Sequence, residues 1–245
     1  MSKQDTIMEV DICLSPALYP YYKKENDIVI VVDIFRASTT ICAMLSNGAS
    51  SVIPVASIEE AKQYKSKGYI VGGERNAKKL EFADFGNSPF DYKKDIVNNN
   101  DIVFTTTNGT QAINAAAGCK TLFIGAFSNI DILSRECFSL GRGRIVVLCA
   151  GWKNKINAED TLFAGAFTEK LSKLGEITYG SDSVRIAIEM WDKAKNDPIE
   201  FLKTSEHYKR LINNGAEGDI AYCFKENSTP IVPYYCATEN KLRIE

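Results

Sequence analysis

"IVIVVDIFRASTT", residues 28–40, joins five β-branched residues directly to an acid, an arginine and three hydroxyl side chains. The apolar run does not alternate with polar residues, which is typical of a strand covered on both faces. Asp33 and Arg36 stand where the chain leaves this strand, and Ser38 and Thr39 follow them. The stretch therefore predicts a buried strand of a parallel sheet that ends at a ligand.

Similar apolar runs alternate with helical patterns along most of the chain. The helical patterns include "SIEEAKQYKSKG" and "AEDTLFAGAFTEKLSKLG". The other predicted strands are "IMEVDIC", "SVIPV", "YIVGG", "DIVFT", "TLFIG" and "RIVVLCA". This alternation predicts an α/β fold with a largely parallel or mixed sheet and helices on both faces. We expect residues 1–245 to form a single unit.

A weak internal repeat, called the internal echo below, suggests that the same unit contains a duplication. The first segment reads as strand, polar loop and helix, ends at Gly48 and is followed by the strand "SVIPV". The same order recurs in a second segment, which ends at Gly118 and is followed by the strand "TLFIG". An internal duplication would give two interlocked lobes, although any two βα units share this much. Beyond residue 182 we predict long helices in "SVRIAIEMWDKAKND" and "PIEFLKTSEHYKRLINNG", then a late strand in "GDIAYCF".

Composition narrows the class of partner. Lys plus Arg number 29 against 31 Asp plus Glu, for a net charge of -2, so the chain offers no basic field for nucleic acid. The apolar runs are too short to span a membrane. The N-terminus "MSKQDTIMEVDICLSP" lacks the targeting head of a signal peptide, which is a basic start followed by a long apolar stretch. Seven cysteines without a C-x-x-C pair suggest neither a disulfide framework nor structural zinc. We expect a cytoplasmic protein; self-association is left open.

Polar residues follow several of the predicted strands. Ligands of open α/β sheets bind outside the carboxyl ends of the strands. Arg75 follows "YIVGG", and "TTTNGT" at 105–110 supplies hydroxyls and amides at a helix start. A helix N-terminus attracts anions, and the fork of Arg36 matches phosphate. "FRASTT" is therefore one predicted anion cradle, with Ser38 and Thr39 as its hydroxyls, and Arg75 is predicted to add a contact to the same phosphorylated ligand. The anion cradle predicted in the second loop consists of Thr106, Thr107, Asn108 and Gly109.

Carboxylates at the same strand ends predict a cation beside that anion. Asp33, Glu74 and the pair Glu159 and Asp160 would supply oxygen ligands suited to Mg²⁺. Glu159 and Asp160 also have a structural explanation, because they begin a helix whose dipole favours acids there. Lys153, in "GWKNKINAED", would add charge toward an anionic substrate.

Several chemistries lack their residues. The chain has no GxxxxGK[ST] loop and no Cys followed six places later by Arg, and His207 is its only histidine. A P-loop ATPase, a Cys-nucleophile phosphatase and a His-rich two-metal hydrolase are therefore excluded. The role of His207, on a predicted helix, is left open.

Six motifs in order resemble the 2-phosphosulfolactate phosphatase family: "VVDIFRASTTI", "GGER", "GNSP", "TTTNGT", "CAG" and "EDTLFAGA". The resemblance extends from residue 10 to 235. It implies a Mg²⁺-dependent phosphomonoesterase that converts 2-phospho-3-sulfolactate to 3-sulfolactate and phosphate, a step toward coenzyme M in methanogens. It also implies that Asp33, Arg36 and Asp160 are catalytic, and that Asn87 and Ser88 of "GNSP" contact substrate.

Departures from the family pattern are modest. "IFRASTT" replaces the more usual "VLRATTT", and Phe163 stands where a Cys is frequent. Neither change removes an acid, an arginine or a hydroxyl. The family extends to bacteria that need not make coenzyme M, so the resemblance implies the reaction class and leaves the physiological substrate open.

Two alternatives remain at this point. A phosphate-ligand sensor would need the Arg and Thr cradles but not the carboxylates. An aspartyl-phosphate phosphatase of the haloacid-dehalogenase type needs an acid two residues after its nucleophile, where this chain has Phe35. Asp33 is thus either a metal ligand, while water attacks phosphorus, or a nucleophile.

Overall fold

A computed structural model describes residues 7–141 and 143–245 as alternating strands and helices. The strands are β1 Met8–Cys13, β2 Ile28–Val32, β3 Ser51–Pro54, β4 Ile70–Arg75, β5 Lys78–Lys79, β6 Asp101–Thr105, β7 Thr121–Gly125, β8 Arg144–Cys149, β9 Ile177–Tyr179, β10 Tyr234–Cys236 and β11 Lys241–Arg243. All seven predicted strands before residue 182 are confirmed, and the short strands β5, β9, β10 and β11 were not predicted.

The helices follow most of these strands as the alternation requires. They are α1 Tyr19–Tyr22, α2 Ala37–Ser46, α3 Ile58–Ser66, α4 Lys94–Val97, α5 Gly109–Ala116, α6 Ile130–Ser139, α7 Ala158–Ser172, α8 Asp182–Ala194, α9 Pro198–Leu202, α10 Glu206–Asn213 and α11 Glu217–Cys223. Short 3₁₀ turns lie at Pro16–Leu18, Pro89–Asp91 and Phe127–Asn129.

The described strands form one sheet in the order β5-β4-β6-β3-β11-β10-β7-β2-β8-β1-β9. Strands β7, β2, β8, β1 and β9 are mutually parallel, as are β3, β6 and β4. The hairpin β10–β11 joins these two groups and is antiparallel to each neighbour, so the groups run in opposite directions. The predicted mixed, largely parallel sheet is confirmed.

The internal echo corresponds to an interlocked arrangement of strands. Strand β2 of the first copy pairs with β7 of the second, and β3 of the first pairs with β6 of the second. Each parallel group therefore contains one strand from each copy. The duplication itself stays a prediction.

Helices cover both faces of β2, as its unbroken apolar sequence predicts. Ile30 and Val32 belong to a core cluster with Phe163 of α7, whereas Val29 and Val31 belong to a cluster that includes α2 and α5. Burial of a side chain of this size stabilises the fold by about 1.5–3 kcal/mol. The strand is thereby fixed firmly, and so is the point at which the chain leaves it.

The C-terminal part differs from the prediction in two ways. "GDIAYCF" is not a strand, because it forms helix α11, where Asp219, Ile220 and Cys223 are buried with helical spacing. The predicted long helix after Asp197 is divided into α9 and α10, and Ser205 caps α10 by accepting a hydrogen bond from Tyr208 N.

Within residues 7–141 and 143–245, the helices include none with the length and apolarity needed to cross a membrane. The prediction that the N-terminus carries no targeting head falls partly on residues 1–6, which lie outside the described residues.

Candidate active site

A small cavity lies where the carboxyl ends of β2, β4 and β6 meet helix α10. It leaves about 10 Å³ of open space, which is room for about one water molecule. It is lined by residues at or after strands of both parallel groups and by two residues of α10: Asp33, Phe35, Arg36, Glu74, Ala77, Asn87, Asn108, Trp152, His207 and Leu211. The predicted convergence of polar residues at strand ends is thus present, with additional residues from α10.

The turn after β2 directs the Asp33 carboxyl into this cavity. Its backbone N–H donates to Ser38 Oγ at 2.6 Å, and Ser38 N donates to the Asp33 carbonyl at 2.9 Å. Thr39 Oγ1 donates to the Ile34 carbonyl at 3.3 Å. Ser38 and Thr39 therefore shape the turn and begin α2. Asp33 as a residue is only 4% exposed, and its carboxyl accepts no hydrogen bond from the described residues.

The N-terminus of α5 approaches Asp33 closely because residue 109 is glycine. A Cβ at Gly109 would lie 2.6 Å from Ala37 Cβ and 2.8 Å from Asp33 Oδ2, so any side chain would clash. Thr106 and Thr110 exchange hydrogen bonds of 3.2 and 3.3 Å between their backbone amides and hydroxyls. Two helix N-termini, those of α2 and α5, therefore meet beside one carboxyl, and both favour an anion there.

Glu74 is fixed by the loop after β6. Its Oε1 accepts from Thr107 N at 2.7 Å, and its Oε2 accepts from Ala77 N at 2.6 Å and from Thr107 Oγ1 at 3.2 Å. Arg75 lies outside the cavity lining, because successive strand residues point to opposite faces. Its guanidinium donates to the Ala56 carbonyl at 3.2 Å and to Thr105 Oγ1 at 2.8 Å.

Asp160 ties together the ends of β2 and β8 from the first turn of α7. Its Oδ1 accepts from Ile34 N at 2.8 Å and its Oδ2 from Gly151 N at 3.0 Å. Asn157 is the N-cap of α7, and its side chain accepts from Asp160 N at 3.3 Å. Both carboxyl oxygens of Asp160 are thus engaged by backbone amides.

Buried negative charge dominates the electrostatics of the site. Desolvation, then repulsion from Asp160, raises the pKa of Asp33 to about 8. Desolvation, then repulsion from Glu159, raises the pKa of Asp160 to about 8. Because Asp160 accepts two backbone N–H bonds that favour its ionised form, we assign the shared proton to Asp33. A cation or a bound positive group beside Asp33 would reverse this shift.

Arg36 reaches the site with a partner that sequence reasoning missed. Its Nη1 forms a buried ion pair with Asp219 of α11, and Ser88 Oγ donates to the other oxygen of Asp219 at 2.7 Å. Arg36 Nε and Asn87 Oδ1 are buried without a partner among the described residues. Arg36 therefore has an unpaired Nε–H, while Asp219 fixes the orientation of its guanidinium.

His207 also belongs to the site, although its sequence position lies far from the strand ends. Its Nδ1 lies 2.6 Å from Glu159 Oε1. Its ring packs edge-on against Phe35 at 5.7 Å and lies 5.3 Å from the Trp152 ring, between centroids. The Arg210 guanidinium stacks over the Trp152 ring, with its Cζ 3.6 Å from the ring centroid.

Lys153 follows Trp152 at the edge of the site. Its backbone N donates to Asn108 Oδ1 at 3.0 Å, which connects the loops after β8 and β6. Its side chain is exposed, with Nζ 5.6 Å from the Trp152 ring centroid. The structure places the Lys153 backbone at the site and its ammonium in solvent.

The ligands that the cavity offers to the predicted Mg²⁺ are its two carboxylates, Asp33 and Glu74. In the part of the chain that the structure describes, no group of three or more His, Cys, Asp or Glu side chains is close enough to form a ready-made metal cage. Mg²⁺ usually needs only one or two carboxylates, with water and substrate phosphate completing its shell. The unpaired carboxyl of Asp33, with Glu74 on the same cavity, fits that smaller requirement.

Comparisons of the sequence with a family model and with individual proteins indicate the same family. The sequence model of a family described as 2-phosphosulpholactate phosphatase matches residues 13–238. A Clostridium tetani protein is 35% identical over 231 residues, covering 93% of this chain and 97% of its own length. A Thermotoga petrophila protein is 37% identical over 226 residues, covering 91% and 94%. Both relatives are named probable 2-phosphosulfolactate phosphatase. The range matched by the family model contains every residue that lines the cavity.

Proposed function

The chain belongs to the 2-phosphosulfolactate phosphatase family, and on that premise we propose that it hydrolyses 2-phospho-3-sulfolactate to 3-sulfolactate and inorganic phosphate. The observation that carries the proposal is the unpaired Asp33 carboxyl beside the N-termini of α2 and α5. A phosphomonoester needs both a cradle for its oxygens and a means of offsetting their charge. This corner of the cavity offers the first, and its carboxylates offer ligands for the second. Because it has room for about one water molecule, it must widen to admit the phosphoryl group.

The phosphoryl group would lie against the two helix N-termini and Arg36. Amides at a helix start bind phosphate without further charge, and the free Arg36 Nε–H adds a charged donor. Asp219 holds the rest of the guanidinium in place. Donors preorganised in this way stabilise the charge that develops on the phosphoryl oxygens as the ester bond breaks.

We propose Mg²⁺ as the cation, held by Asp33 with Glu74 as the second carboxylate. When bound, it would offset the charge of these carboxylates and of the phosphate. Asp160 serves it indirectly, because it fixes the Asp33 turn through Ile34 N, whereas Glu159 contacts His207. Cytoplasmic location and self-association stay predictions.

The leaving alkoxide needs a proton, and His207 is suited to supply it. It lines the same cavity as Asp33, and Glu159 holds its Nδ1, which leaves Nε2 for the substrate. An acid at His207 can protonate the alkoxide whether water or Asp33 attacks phosphorus, so the choice between these routes depends on the role of Asp33. Because we assign Asp33 to the cation, we favour direct attack of water on phosphorus. The proton of His207 passes to the alkoxide oxygen, the protons of the attacking water stay with the phosphate product, and His207 regains a proton from solvent.

The test is phosphate release from a panel of substrates by the full chain. We expect release from 2-phosphosulfolactate and slower release from other 2-phospho-carboxylates. We expect none from bis-p-nitrophenyl phosphate, a diester that cannot present a terminal phosphoryl group to the two helix starts. Binding of 2-phosphosulfolactate without release from any monoester would favour a phosphate-ligand sensor and overturn the enzyme proposal.

A further inference from the structure

Helix α10 is attached to the rest of the molecule by few contacts. Of its eight residues, only His207 and Leu211 are buried, and both line the active-site cavity. Among the described residues, one hydrogen bond joins this helix to a distant part of the chain, that of His207 with Glu159. Its other hydrogen bonds stay within residues 205–216. A segment with so few buried contacts has low local stability.

Two cavities lie against α10. One is the cavity at Asp33, and the second, of about 250 Å³, lies between α10 and the loop after β8. Asn157 Nδ2, Glu159 Oε2 and Arg210 Nη1 are buried without a partner among the described residues, and all three residues line this second cavity. Cavities remove dispersion contacts, and unpaired polar atoms gain hydrogen bonds when water reaches them. Both features lower the free energy needed to move α10 away from the sheet.

The segments on either side of α10 are suited to act as hinges. Residues 203–204 before the helix are exposed, as are residues 214–215 after it. Gly215 adopts a left-handed φ of 71°, and a Cβ built on it would contact nothing within 4 Å. Such a residue can change its backbone angles without a clash. Helix α11 does not share this freedom, because the buried ion pair of Asp219 with Arg36 ties it to the turn after β2.

The active site itself requires a movement. Asp33, Arg36 and Glu74 are all buried, and the cavity between them has room for about one water molecule. A phosphoryl group therefore cannot reach them from solvent while the surrounding elements stay in place. Helix α10 is the loosely attached part of the cavity wall.

We propose that α10 is a lid that swings away from the sheet to admit substrate and closes over it before the ester bond breaks. The inference rests on the proposed function, because it takes the small cavity to receive the phosphoryl group. Opening separates His207 from Glu159, so the proton donor meets the substrate only in the closed form. Opening also exposes Leu211 and the half-buried Tyr208 and Ile212, which keeps the open form a minor state.

A removable tether across the second cavity tests the lid. Lys155 and Glu206 are exposed and line that cavity, one on the loop after β8 and one on α10. In Lys155→Cys/Glu206→Cys, the two thiols would be joined by the shortest bis-methanethiosulfonate reagent that crosslinks completely. We expect kcat/KM for 2-phosphosulfolactate to fall at least about 10-fold and to recover when dithiothreitol cleaves the tether. Full turnover by the tethered protein would contradict the proposal.

The single-thiol variants Lys155→Cys and Glu206→Cys supply the matched control. Each would carry the same reagent at one end with its other end capped, so that the reagent occupies the cavity without joining its walls. We expect both to keep the turnover of the unlabelled proteins. A loss equal to that of the tethered protein would mean that the reagent blocks the cavity, and would contradict the lid.

Hydrogen exchange separates this inference from the proposed function, because it needs no turnover. We expect the amides of residues 206–213 to exchange at least about 10-fold faster once the tether is cleaved, with those of α8 unchanged. Equal exchange in α10 with and without the tether would refute the lid, whether or not phosphate is released. Failure of the untethered protein to release phosphate from 2-phosphosulfolactate would refute the phosphatase activity alone.

Discussion

The active site has two sides that are held in place in different ways. We call the residues at and after the carboxyl ends of β2, β4, β6 and β8, up to the first turn of α7, the floor, and we call helices α10 and α11 the cover. In the floor, Asp160 and Glu74 are fixed by backbone amides. The cover is joined to the rest by side-chain pairs, notably Arg36 with Asp219 and Glu159 with His207.

The difference indicates a division of labour. A carboxylate held by backbone amides cannot shift without the sheet, so the floor suits the placement of phosphate and cation. A helix joined through side chains can differ in its residues without altering the sheet. We therefore expect changes in the floor to reduce turnover of every substrate, and changes in the cover to depend on the substrate.

The largest expected effect is in the floor, at Asp33. Asp33→Asn keeps the shape but removes the carboxylate, so we expect kcat to fall by about 10³-fold or more for every phosphomonoester. The melting temperature should not fall, because the change removes a poorly solvated acid. Asp192→Asn, on the exposed surface of α8, is the matched control. Activity of Asp33→Asn within 10-fold of the wild type would refute the assignment.

Arg36 belongs to the floor but is oriented by the cover, so it tests how far the two are separable. Arg36→Lys keeps the charge but loses the fork that holds Asp219 and phosphate together, and we expect a fall of ~10²-fold in kcat/KM. Steady-state kinetics on 2-phosphosulfolactate would measure it, with Arg185→Lys as control. Full activity would exclude Arg36 as a phosphate clamp.

His207 is the cover residue nearest to the chemistry, and its loss should depend on the leaving group. In His207→Gln we expect turnover of 2-phosphosulfolactate to fall by about 10²-fold, the usual contribution of a general acid. Hydrolysis of p-nitrophenyl phosphate should fall much less, because nitrophenolate leaves without a proton. Equal losses on the two substrates would mean that His207 only supports the structure.

The smallest effect concerns stability and pH in the absence of divalent cations. The pKa of Asp33 is about 8 in the folded protein, whereas an unfolded aspartate titrates near 4. The folded state therefore holds the extra proton between these values, and stability is lost as pH rises through that window. We expect the melting temperature to fall by about 2 °C or more from pH 5 to pH 8. Asp33→Asn should flatten this slope; an identical slope would place the proton elsewhere.

Sequence patterns predicted the floor well because its physical causes are local. The unbroken apolar run before Asp33 requires a strand buried on both faces, and a strand of this kind places its next residues at a ligand site. Asn108 and Gly109 likewise predict the start of a helix. Arg75 shows the limit of this reasoning: it follows Glu74 directly, but the alternation of strand side chains directs it away from the cavity.

The cover could not be predicted in the same way. Asp219 lies 183 residues from its partner Arg36, and nothing near it in sequence marks an ion pair. The short apolar run around it fits a strand or a helix equally, and burial of Ile220 and Cys223 in the tertiary fold decides for the helix. His207 is a lone helical histidine whose function depends on Glu159, 48 residues away.

The most direct test of a cation-dependent floor is phosphate release from 2-phosphosulfolactate after exhaustive treatment with EDTA, followed by titration with Mg²⁺. We expect release to stop in EDTA and to return with Mg²⁺ in the wild type, and to stay absent in Asp33→Asn. Undiminished release by the wild type in EDTA would contradict the assignment of Asp33 and Glu74 to a cation.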